Sequence, residues 1–62
     1  MKIEDARERR PLSAVVLGLT EEEAQELLDS LQVLLSDPGD RHEHVSSDDY
    51  QAEITVWIDR SP

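Results

Sequence analysis

Apolar and polar positions along the chain fall into a helical pattern and a set of strand patterns. Ala24, Leu27, Leu28, Leu31, Leu34 and Leu35 recur at i, i+3, i+4, i+7, i+10 and i+11, which places them within an arc of about 120° on a helix. Glu22, Glu26 and Asp29 fall on the opposite side, with Val33 among them. This spacing predicts one amphipathic helix. Thr20 suits its N-cap, and Glu23 three residues on completes a capping box. Glu21, Glu22 and Glu23 put negative charge at the positive end of the helix dipole. Asp37-Pro38-Gly39 supplies the stop, because proline cannot continue a helix and glycine permits a turn.

The remaining apolar positions read as strands. Pro11–Leu19 contains the continuous run Ala14-Val15-Val16-Leu17, and Pro11 is tolerated as a strand's first residue. A run of this kind predicts a strand covered on both faces. His42–Val45 reads as a second strand, and Ser46-Ser47-Asp48-Asp49 as a hairpin turn. Tyr50–Asp59 alternates strictly. Tyr50, Ala52, Ile54, Val56 and Ile58 share one face, and Gln51, Glu53, Thr55, Trp57 and Asp59 the other. The expected fold is therefore α+β, in the order β-α-β-β, with one helix on a three-stranded mixed sheet. The helix would be a right-handed crossover between parallel strands. The long last strand would lie in the centre, giving the spatial order 1-3-2. Residues 11–60 form the expected domain, 1–10 a charged flexible arm and 61–62 a tail.

In that arrangement the leucines meet Ile54, Val56 and Ile58, and Trp57 lies on the face without a helix, near Val16 or Ala14. One helix covers only one face, so the other calls for the N-terminal arm, a long side chain or a partner. The simplest partner is a second copy, packed face to face around Trp57 or edge to edge through the first strand.

Size and charge sharpen this reading. A chain of 62 residues buries only about 60% of its unfolded surface. It has no cysteine to staple it, which leaves oligomerisation, a metal or dense aliphatic packing as compensation. The net charge is −9, and it is unevenly spread: residues 1–10 carry four cations against three acids, and the rest only Arg41 and Arg60 against twelve acids. Such a body repels phosphate backbones, so nucleic acid is not an expected partner, whereas a basic protein is. Glu22, Glu26, Asp29 and Val33 on the helix, with Trp57 on the sheet, are the candidate partner-binding residues. No apolar run is long enough to span a membrane and no signal-peptide core is visible, so a soluble, cytoplasmic protein is expected.

Candidate chemistry is sparse. His42 and His44 alternate, so on a strand both imidazoles point to one side and can converge on a metal such as zinc. Asp37, Asp40, Glu43 or Asp48 would have to add a carboxylate, and Glu43 points to the other side. The plainer reading is two polar residues on a solvated strand, with no cofactor. Ser36, Ser46 or Ser47 beside those histidines and Asp48 or Asp49 hold the residue types of a nucleophilic triad, but so short a chain has little room for a site that excludes water. Gly18 and Gly39 stand alone and build no phosphate loop; Gly18 is read as easing the strand-to-helix turn. A catalytic role is not expected.

The stretches Leu17-x-Leu19-Thr20-x-Glu22-Glu23-Ala24, His42-x-His44 and Glu53-Ile54-Thr55-Val56 resemble a loose group of small uncharacterised bacterial proteins. Some of these resemble immunity proteins of polymorphic toxin systems. The resemblance implies a compact α+β module that acts by binding a protein, and it carries over no catalytic residue.

Overall fold

Thr20 caps the helix in both directions. Its hydroxyl accepts from the Glu23 N–H at 3.1 Å, and its own N–H donates to the Glu23 carboxylate at 2.9 Å. Helix α1 then runs Glu21–Ser36. The structure, a computed structural model, describes residues 1–39 and 41–60; Asp40 and the expected tail Ser61-Pro62 lie outside the described residues. α1 ends where Asp37 turns extended and its N–H reaches the Leu34 carbonyl at 3.4 Å. The Asp37 carboxylate accepts from the Gly39 N–H at 2.8 Å and closes the exit turn.

Two strands follow, β1 (His42–Ser46) and β2 (Glu53–Trp57), paired antiparallel. The register sets His42 opposite Trp57, His44 opposite Thr55 and Val45 opposite Ile54. Alternation therefore directs Val45, Ile54 and Val56 to the helix side and His42, His44, Thr55 and Trp57 to the other. Val45 is buried and Ile54, Val56 and Ile58 are half-buried, as the period-two pattern predicts.

The expected first strand, Pro11–Leu19, is absent among the described residues. The sheet has two strands rather than three in the order 1-3-2, and the helix precedes both instead of crossing between parallel strands. Residues 14–20 take no regular secondary structure, and no backbone hydrogen bond among the described residues engages residues 13–19. The apolar run lies against the turn end of the hairpin, where Val16, Leu17 and Leu19 form an open groove of about 230 Å³ with Val45, Ala52 and Ile54. Its side chains make contacts while its backbone joins no ladder. Gly18 has neither a positive φ nor a crowded neighbourhood, so nothing at the entry to α1 demands glycine.

The last strand is also shorter than its alternation predicts. Tyr50 lies in the turn at φ 58 and is 84% exposed, not on the inner face. The turn closes through Ser47, whose N–H donates to the Ala52 carbonyl at 2.9 Å, while its hydroxyl accepts from the Ala52 N–H at 3.0 Å.

The N-terminal arm folds back on itself. The Asp5 carboxylate accepts the Arg7 and Glu8 N–H groups at 2.9 Å each, the Asp5 N–H donates to the Arg10 carbonyl at 2.8 Å, and Leu12 donates to Ile3 at 2.7 Å. Arg9 adopts φ 59 to close this loop, and Glu4 bridges Pro11. Among the described residues only Leu34 and Val45 are buried apolar residues, at 2% and 3% exposure. The core is thus a small wedge between one helix and one hairpin.

Candidate functional site

The helix acids are the most concentrated charge in the chain, and they stand without cations. Glu22, Glu26, Asp29 and Val33 are all exposed on α1. Asp29 accepts from the Gln25 side chain at 2.9 Å. The ion pairs lie elsewhere: Lys2 with Asp59 at 3.6 Å, Arg9 with Glu4 at 4.0 Å, Arg10 with Glu8, and Arg41 with both Asp37 and Glu43 at 3.4 and 3.5 Å. Among the described residues no cation pairs with Glu22, Glu26 or Asp29.

Trp57 belongs to a different surface. It lies on the helix-free face of the hairpin, opposite His42, and is 49% exposed. The Lys2 ammonium sits 5.6 Å from its ring centroid, within cation–π range, and also pairs with Asp59. The arm therefore covers part of the ring, in place of the expected contact with Val16 or Ala14. The structure does not bring Trp57 together with the acidic helix face, so the five candidate partner-binding residues form two surfaces.

His42 and His44 share the Trp57 side, with ring centroids 5.0 Å apart in an edge-to-face arrangement. His44 Nδ1 lies 2.9 Å from both the Thr55 hydroxyl and a Glu53 carboxylate oxygen. Glu53 was not among the carboxylates expected to join the histidines, and two that were, Asp37 and Glu43, are drawn to Arg41 instead. Among the described residues no group of three or more His, Asp or Glu side chains is assembled to hold a metal ion. Asp40 lies outside the described residues.

The hairpin serine and aspartate act as turn residues. The Ser47 hydroxyl donates to the Asp49 carboxylate at 2.6 Å, and the Gln51 N–H donates to the same oxygen at 3.1 Å. The Ser47 hydroxyl, with the Gln51 N–H second, holds the Asp49 carboxyl below the usual carboxylate range. The Gly39 N–H does the same for Asp37, and the Glu8 and Arg7 N–H groups for Asp5. The Ser36 hydroxyl is turned back onto the Val33 carbonyl at 3.0 Å.

Two features were not visible in the sequence. Arg60 reaches across from beyond β2 and donates to the carbonyls of Asp37, Gly39 and Leu34 at 2.8, 3.0 and 3.4 Å, at the C-terminal end of α1. The last turn of α1 has no basic residue of its own, so a distant one supplies the cation that complements the dipole. The second feature is the set of helix leucines left uncovered. Leu28, Leu31 and Leu35 are 48%, 37% and 72% exposed. The signal for it was the width of the apolar arc, broader than one two-stranded hairpin covers.

No protein-family model matches the chain, and neither a curated protein nor a solved structure matches it. No helix among the described residues is long and apolar enough to cross a membrane.

Proposed function

We propose that the chain is a small acidic protein-interaction module without catalytic activity, which works as a homodimer and binds a basic protein through the helix face of Glu22, Glu26, Asp29 and Val33. An immunity or antitoxin role is the sharpest form of this reading, because an acidic surface can occupy the phosphate-binding cleft of a nuclease and charge raises the rate of encounter. The observation that carries it is the uncompensated acid on α1: Lys2, Arg9, Arg10 and Arg41 pair with Asp59, Glu4, Glu8, Asp37 and Glu43, Arg60 caps backbone carbonyls, and no ion pair among the described residues reaches the helix face. An apolar residue, Val33, sits in the middle of that face at 39% exposure. This is the composition of a contact surface with a charged rim.

The test compares the immobilised chain with its Glu22→Lys/Glu26→Lys/Asp29→Lys variant in capturing basic proteins from a bacterial lysate. A basic protein retained by the parent and lost by the variant, with helicity unchanged, supports the reading. Equal retention by both would remove the helix face as the binding surface.

A further inference from the structure

Resting on that homodimeric reading, we infer that the two copies meet through the helix line Ala24, Leu28, Leu31 and Leu35, rather than through the Trp57 face or the segment before the helix. Two lines run along α1. Glu23, Leu27, Ser30 and Leu34 are half-buried or buried and face the hairpin. Ala24, Leu28, Leu31 and Leu35 are all exposed. The second line is offset from the first by one residue, about 100° around the helix. The line turned to the hairpin is half polar, and the line turned away is wholly apolar. Its steps of four, three and four residues are those of a seam between paired helices.

The chain is less compact than its mass predicts, and so leaves apolar surface for a partner to cover. A compact monomer of 7.1 kDa exposes about 4,100 Å². This chain exposes 5477 Å², an excess of about 1,400 Å². The excess is spread over residues 11–20, all exposed, as well as over the helix line with Leu28 and Leu35 at 48% and 72% exposure, so the line supplies part of it. The radius of gyration points the same way, at 12.3 Å against about 10.6 Å for a compact chain of this length.

Charge says that the cover is a second copy. A chain of net charge −9 resists its own kind wherever acids face each other. Around the exposed line they do not beyond the first turn. In the first turn Glu21 stands on its outer flank and Glu23 on its inner; beyond that turn the outer flank is Gln25 and Gln32, the inner flank Leu27 and Leu34, and Glu26 and Asp29 point to the far side of the helix. A basic partner would find no carboxylate beside this line beyond the first turn. Beyond the first turn a second copy finds a neutral, self-complementary strip, and a two-fold axis lets each strip cover the other.

Light scattering after size exclusion should give about 14 kDa for the parent, twice the 7.1 kDa chain. Leu28→Lys/Leu35→Lys should give a monomer, while Trp57→Ser should stay dimeric. A monomeric parent overturns the inference and the homodimer with it. A dimer that survives Leu28→Lys/Leu35→Lys overturns the inference alone. If the lysine variant fails to fold, it is mixed with Leu28→Glu/Leu35→Glu: helicity restored on mixing supports the contact, and no restoration overturns it. None of these outcomes reads on capture by the acidic face, which has its own test.

Discussion

Arg60 makes the most consequential single-residue contact in the chain. Its guanidinium donates to three carbonyls at the end of α1, 21 to 26 residues away in sequence. An unpaired helix C-terminus otherwise relies on water, so the clamp ties the end of the hairpin to the end of the helix in a protein with few other long-range ties. Arg60→Ala should lower stability by about 1 kcal/mol, the worth of a partly exposed charge-assisted hydrogen bond. Arg60→Lys should fall between, because one ammonium cannot match the guanidinium fork. Urea denaturation of the three chains checks this; equal midpoints would mean that water satisfies those carbonyls as well as arginine does. The contact was illegible in the sequence because neither partner announces the other. Arg60 stands at the end of the expected domain, past the last alternating residue, where nothing in its neighbours points to a helix end. Tyr50 misled for a related reason. Its ring fits the inner face of a strand, but at φ 58 it is a turn residue, and nothing in the alternation distinguishes the two.

Elements were legible where their determinants are local. The capping box spans four residues and forms on both sides, and the alternation of Glu53–Trp57 sets Ile54 and Val56 inward. The run Ala14–Leu17 was not legible, since a continuous apolar stretch is equally suited to a buried strand and to a segment that lies on a groove. Which one forms depends on whether a strand edge receives it, and periodicity carries no such information. The hairpin turn is an element with a defined pH response. Asp49 has its carboxyl depressed by the Ser47 hydroxyl and the Gln51 N–H. A depressed folded-state value adds stability that is present above the unfolded value, about 3.9 for aspartate. That stability is lost as pH falls through the folded value. Protonation of the other acids meanwhile relieves repulsion, so the melting temperature of the parent alone mixes two opposite effects. The comparison with Asp49→Asn separates them. The parent should exceed the variant above pH 4 and lose its advantage below. A constant gap down to the acid limit would show that the turn gains nothing from the charge.

At the scale of the whole molecule, the proposed dimer contact and the proposed capture surface should respond to salt with opposite signs. The line Ala24, Leu28, Leu31 and Leu35 is apolar, and its pairing brings together two chains of net charge −9. Their repulsion is spread over the bodies, not concentrated at the contact, so screening weakens it. The Debye length falls from about 10 Å at 0.1 M salt to about 3 Å at 1 M. Dimerisation should therefore tighten as salt rises, and the burial of apolar surface is not itself screened. Capture of a basic protein by Glu22, Glu26 and Asp29 draws on attraction between opposite charges, and the same rise in salt should weaken it, chiefly through slower association. Sedimentation equilibrium and a binding titration across one salt series measure both. Dimerisation that weakens with salt would place acids against cations at the copy-to-copy contact and exclude the leucine line. Capture indifferent to salt would move partner binding off the acidic face and onto the apolar groove of Val16, Leu17 and Leu19. Opposite slopes are expected because beyond its first turn the helix sorts its residues by angle: Leu28, Leu31 and Leu35 outward on one side, Glu26 and Asp29 on the other, and the glutamines Gln25 and Gln32 between them.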